Sequence, residues 1–213
     1  SEMCIRDSGN ERVVMFEPNG DSSTQSVFDD NLKKPVGIYA DVFGHVWVVD
    51  QETKTVWKYT VDGKGHAISR VKFDTGSDET GHKIVLQEPT SVAVDLAQNV
   101  FIADAGAHGV FQYQPNGKNA PVEGEFVHPI SLAVNLSGHA YVADAATSEV
   151  QVITPLYTPK RQTAAPTQPG TAVALGKDGT AYVVSSEAGT LEKLTADGAT
   201  IIARGFKHPK GVA

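Results

Sequence analysis

A chain of 213 residues that is 40% hydrophobic and 20% charged has the make-up of an ordinary globular protein. Its net charge of −7 disfavours nucleic acid and anionic lipid as partners, since both call for clustered Lys and Arg. No apolar run approaches the roughly 18 residues that a membrane-spanning helix needs, so no membrane insertion is expected of this chain.

Residues 1–7 stand apart. Ser1-Glu2-Met3-Cys4-Ile5-Arg6-Asp7 resembles one translated frame of a common sequencing adapter and is set aside as a probable artefact. On that reading the chain is a metagenomic fragment, and its natural portion lacks cysteine and forms no disulfide.

Beyond residue 7 the chain repeats. Pro89, Pro129, Pro169 and Pro209 recur every 40 residues, and Pro35 lies a further 54 upstream. The segments that follow are PVGIYADVFGHVWVVD, PTSVAVDLAQNVFIAD, PISLAVNLSGHAYVAD and PGTAVALGKDGTAYVVS. A fixed period of about 40 residues marks a repeat architecture.

One unit can be taken in chain order. Val36–Ala40 is a short apolar run, and residues 41–44 supply turn chemistry. Val46-Trp47-Val48-Val49 is β-branched and aromatic, a strand on propensity. Asp50–Lys54 is a polar loop, residues 55–61 form a third strand, Asp62-Gly63 is a tight-turn signal, and residues 67–73 alternate as a fourth strand. Four short antiparallel strands, with the most apolar first and the most polar last, make the pattern of a propeller blade. The inner strand is expected again near 90–94, 130–134 and 171–175, and helix is expected to be nearly absent.

The tight turn recurs at Asn19-Gly20, Asn116-Gly117 and Asp197-Gly198, but the third full unit carries Pro155 and Pro159 there, which predicts a ragged outer strand. The longer first unit contains Asp74–Gln87, either a loop or an extra hairpin ending in residues 83–86. The second strand ends in Asp50, Asp104, Asp144 and Ser185. A residue repeated in every unit serves the unit, so these are read as acceptors for backbone N–H groups in the loop that follows, not as catalytic groups. The expected organisation is a half blade over 8–32, blades over 33–86, 87–126, 127–166 and 167–206, and the opening of another over 207–213. All of it forms a single all-β propeller domain, incomplete by about one and a half blades if six are expected.

The run from the module proline to the closing Asp resembles the NHL repeat: an aliphatic residue three places on, Asp or Asn before the turn, Gly or Gln within it, then an aromatic in a β-branched strand. Asp7-Ser8-Gly9-Asn10-Glu11-Arg12-Val13-Val14 is similar to the middle of that repeat. The resemblance implies a six-bladed propeller that serves as an interaction or sensor module. Gly20–Val27 is also similar to the extracellular sensor propeller of bacterial receptor serine/threonine kinases, which implies an extracytoplasmic position.

Enzymes share this architecture, and their motifs are a check. Peptidyl-hydroxyglycine lyases look for a zinc-binding His directly after the module proline, where this chain has Val36, Thr90, Ile130, Gly170 and Lys210. Gluconolactonase-type lactonases carry Asn-Gly there, and these units do not. Streptogramin-type lyases favour Trp-Phe-x-Glu in the second strand, which only Trp47 echoes. No catalytic residue, metal ligand or cofactor is therefore assigned. The alternative function is a metal-dependent lyase or lactonase of the same architecture.

Binding residues sit disproportionately on loops held by a rigid scaffold. Alternate connections of an antiparallel meander lie on opposite faces, so the proline-bearing connections and the second-to-third-strand loops share one face. The expected site is a ring of Lys34, Glu88, His128, Gln168 and His208 at the channel mouth, with Gln51, Glu52, His108, Ser148, Glu149 and Glu187 further out. It would take a protein or a small polar ligand, and the near balance of its charges leaves no nucleic-acid footprint. His45 and His139 fall on the opposite face, where short polar turns are expected to grip a partner less well.

Overall fold

The computed structural model describes residues 3–19, 22–77, 80–117, 119–122, 125–135, 138–147, 150–153, 162–164, 170–195 and 198–212. They fold almost entirely into antiparallel sheets, and the one helical piece among them is a 3-10 turn at Ser8–Asn10. A three-stranded sheet comes first, in the order β1 (Met3–Asp7), β2 (Arg12–Asn19), β3 (Ser22–Asp29). Four four-stranded meanders follow. They are β4 (Pro35–Ala40) to β7 (Ala67–Lys72), β8 (Pro89–Val94) to β11 (Asn119–Val122), β12 (Pro129–Val134) to β15 (Gln162–Ala164), and β16 (Ala172–Leu175) to β19 (Gly198–Arg204). The second and third strands of the first meander are β5 (His45–Asp50) and β6 (Thr55–Val61). Those of the second are β9 (Val100–Asp104) and β10 (Gly109–Tyr113).

The first strands of successive meanders, β4, β8, β12 and β16, pack side by side. They surround a cavity of about 630 Å³, which Lys210–Val212 also line. This is a β-propeller, with the blades radiating from a central channel. Every expected inner strand is present within one residue of its reading. Burial peaks on the second strand: β9 is buried throughout, while the rim strand β7 is mostly exposed. The inner strand was expected to be the most apolar, but its channel side opens onto the cavity.

Met3–Asp7, set aside on sequence, pairs as a second strand, with Asp7 opposite Arg12 as Asp50 is opposite Thr55. In the third full blade the described part of the outer strand is Gln162–Ala164. Pro155 and Pro159 themselves lie outside the described residues. Asp74–Gln87 is neither a free loop nor a full hairpin. One bridge joins Ser77 to Lys83, Thr75 Oγ1 donates to Ile84 O at 2.6 Å, and Leu86 enters the core at 5% exposure.

The core lies between blades. Val13, Met15 and Phe28 of the first sheet meet Val46, Val48 and Tyr59 of the first blade, and similar clusters fill the next interfaces. Each fully buried Val or Ile contributes about 1.5–3 kcal/mol over its exposed state, so stability resides in these contacts between sheets. The channel wall is sewn together by small side chains. Ser91 Oγ accepts from Leu132 N at 3.1 Å, and Ser131 Oγ from Val173 N at 3.2 Å, one blade on in each case. At the equivalent position Gly37 lets two strands touch: a Cβ there would lie 2.8 Å from the Thr90 carbonyl oxygen. Proline has no N–H for the ladder, and the register slips just after it at Pro35, Pro89 and Pro129.

Candidate functional site

The connections that carry the module prolines and the second-to-third-strand loops share one face. There the carboxylates that end the second strands are wholly buried and fully engaged. Asp50 accepts from Lys33 N at 3.1 Å and Lys34 N at 2.8 Å. Asp104 accepts from Gln87 N and Glu88 N, both at 2.7 Å, and from Ala107 N at 3.1 Å. Asp144 accepts from Val127 N at 2.7 Å, from His128 N at 3.0 Å and from Ala146 N at 2.9 Å. These residues serve the blade, as the repeat implied, but most of their bonds reach back to the connection before the blade and not to the loop after it. The reason is geometric. The connection must run straight into the inner strand, and the neighbouring strand end is the nearest place for an acceptor of its free N–H groups.

In the fourth full blade Ser185 replaces Asp. Its hydroxyl accepts only from Ala188 N at 3.3 Å, and Thr171 Oγ1 takes the Ser186 N–H at 2.8 Å. In the four described loops of this kind the chain closes on a left-handed residue after the second strand: φ is 56° at Glu11, 53° at Lys54, 50° at His108 and 62° at Gly189.

This clamp decides what the expected site residues do. Lys34, Glu88 and His128 are held by their backbones: each N–H reaches the clamp Asp, and each C=O accepts from the residue after it, at 2.9 Å. The side chains of Lys34 and Glu88 are exposed and that of His128 is half-buried. Gln51 Nε2 donates to Pro89 O at 3.4 Å, and His108 Nδ1 lies 2.5 Å from Val127 O, so both tie one blade to the next. Glu52, Glu187 and His208 are exposed. Gln168, Ser148 and Glu149 lie outside the described residues. No side-chain hydrogen bond or ion pair joins any two of these residues among those described, and none of them lines the channel cavity. They form a rim of separate groups on a fixed backbone.

The opposite face holds chemistry the sequence reading passed over. Asp41 Oδ1 accepts from Phe43 N at 2.9 Å and His45 N at 2.8 Å. Its Oδ2 accepts from Trp47 Nε1 at 2.8 Å and from His45 Nδ1 at 3.0 Å. Burial works against the charged form of Asp41, but the bonds from Trp47 and His45 outweigh it and hold the carboxyl below the ordinary carboxylate range. The same i, i+4 turn recurs at Asp62/His66, Asp95/Asn99 and Asn135/His139. That repeated Asp-or-Asn, then His-or-Asn, spacing was the signal available in the sequence. Nor is this face only polar, since Val42 is 65%, Phe43 42% and Leu96 52% exposed at the tips of adjacent turns. Beside them lies a cleft of about 230 Å³ between the first two full blades, with Trp47, Lys58, Phe73 and Tyr113 among its walls.

No group of three or more His, Cys, Asp or Glu able to hold a metal ion occurs among the described residues. No family model matches the chain, and no curated protein matches it. Solved structures do. A virginiamycin B lyase from Staphylococcus aureus superposes with a TM-score of 0.71 at 11% identity, over 100% of this chain and 70% of that one. A protein described as a gluconolactonase gives 0.77 at 13%, over 99% and 76%. A chain of a nidogen/laminin complex gives 0.73 at 12%, over 95% and 78%. Likeness at such low identity carries the architecture alone, and the architecture is the β-propeller.

Proposed function

We propose that this chain is an interaction or ligand-sensing propeller module of the NHL type, non-catalytic in its described part, which holds a protein or a small polar ligand on the face of the proline-bearing connections. The observation that carries this reading is the clamp. Asp50, Asp104 and Asp144 use their oxygens on backbone N–H groups, so the acids the repeat brings to this face are structural. What remains to meet a partner is a set of different side chains, Lys34, Glu88 and His128 in equivalent places, on a backbone held by the clamp hydrogen bonds. Diverse groups on a rigid frame suit recognition. The test is charge reversal at Glu88 combined with His128→Ala in the complete protein. Partner binding is expected to weaken, while substitutions at His45 and His139 leave it unchanged. The opposite pattern moves the site to the other face.

A metal-dependent lyase or lactonase is the second reading, favoured by the virginiamycin B lyase and gluconolactonase likenesses. Metal analysis separates the two: stoichiometric zinc or calcium bound in the channel reverses the order.

A further inference from the structure

We propose a second, independent binding site: the cleft between the first two full blades, on the face opposite the clamps, takes a small aromatic carboxylate. Its volume of about 230 Å³ falls below the roughly 300–1,000 Å³ of drug-sized sites, which fits one ring with a short polar arm. The walls are aromatic and already arranged edge to face. Trp47 and Phe73 have centroids 5.5 Å apart at 71°, and Phe73 and Tyr113 5.4 Å apart at 86°. A further ring extends such a series favourably. Phe43 lines the cleft while staying 42% exposed, and Leu96 sits in the turn between two other lining residues, Val94 and Gln98. The apolar surface therefore continues to the rim.

Charge selects the polar arm. Asp41 is the one carboxylate in the lining, and its oxygens are taken by Phe43 N, His45 and Trp47. Lys58 is the one lysine there. Its ammonium stands 5.2 Å from the Trp47 ring centroid and has no carboxylate partner among the described residues. A neutral apolar guest would desolvate that ammonium with nothing in return, and a cationic guest would be repelled by it. A carboxylate gains a charge-assisted hydrogen bond to Lys58 while its ring meets the aromatic wall. The pairing is particular to this cleft. Trp47 is the one residue at its strand position with an N–H to give Asp41, since Phe101 and Tyr141 stand there in the next two blades.

The test uses the full chain, phenylacetate and indole-3-acetate as probes, and benzylamine as the cationic control, followed by equilibrium dialysis. Saturable binding of both carboxylates is expected, with benzylamine at least about ten-fold weaker, the loss of one charge-assisted bond. Lys58→Met should remove that preference without shifting the melting temperature, and Lys193→Met, at the equivalent position of the fourth full blade, should leave binding intact. Added salt should weaken the carboxylates. The proposal is overturned if neither carboxylate saturates, if benzylamine binds as well as they do, or if Lys58→Met binds unchanged. Because the Glu88 and His128 substitutions lie on the other face, this result stands or falls apart from the proposed function.

Discussion

The two faces of the blade ring use the same side chain for different tasks. On one, Asp50, Asp104 and Asp144 bind backbone N–H groups 16 and 17 residues away, and so fix how the chain enters each blade. On the other, Asp41, Asp62 and Asp95 bind backbone N–H groups two to four residues on and shape their own turns, Asp41 also accepting from Trp47 Nε1 six residues on. The lesson is one of reach. A buried carboxylate that closes a long loop holds separate strands together, whereas one that closes a turn secures a structure the local sequence already favours.

That contrast can be broken by substitution. Asp104→Ala leaves three part-buried N–H groups without their acceptor and should cost about 3 kcal/mol, at about 1 kcal/mol per bond, whereas Ser185→Ala loses a single bond and should cost about 1 kcal/mol. Urea unfolding measures both, and equal costs would erase the distinction between the Asp clamp and its serine counterpart. Asp41→Asn should fall between them, at about 2 kcal/mol, because Trp47 and His45 lose charge-assisted partners inside a local turn.

Acid sharpens the same point. The Asp41 carboxyl lies below its ordinary value of 3.8 in the folded chain, so its stabilisation is fully present above about pH 4 and is lost as pH falls through the lowered value. The stability gap between the native chain and Asp41→Asn should therefore close in strong acid, and urea midpoints collected against pH will show it. Two tyrosines give the smallest effects and a further contrast. Tyr59 donates to Asp29 Oδ2 at 2.7 Å, so Tyr59→Phe should cost about 1–1.5 kcal/mol. The Tyr113 hydroxyl is buried with no partner, so Tyr113→Phe should change stability by less than about 0.5 kcal/mol or increase it.

The blades were legible in the sequence because their cues are local. Val46–Val49 announces a strand, Asp62-Gly63 a turn, and the spacing of the prolines sets the period. The direction of the Asp104 bonds was not legible, since Gln87 and Glu88 come beside it only after the sheet has formed. The same holds for the cleft. Trp47, Phe73 and Tyr113 are 26 and 40 residues apart and look like ordinary strand aromatics until two blades pack. Exposed Val42 and Phe43 stood in plain view, but turn chemistry drew attention to Asp41 and Gly44 around them. The alternation of connections puts the described members of the expected ring on the clamp face, but none of them lines the channel cavity that the sequence reading gave them.

The serine stitches along the channel have a consequence in time. Each clamp closes a loop of 16 or 17 residues, while Ser91 and Ser131 reach 41 and 42 residues ahead to the next blade. The entropy of closing a loop grows with its length, and contacts distant in sequence slow folding. A blade can therefore complete its own clamp first, and the amides of Leu132 and Val173 become protected from hydrogen exchange only when the following inner strand arrives. In a chain made from its N-terminus, this orders assembly blade by blade, with each serine waiting for a strand not yet synthesised.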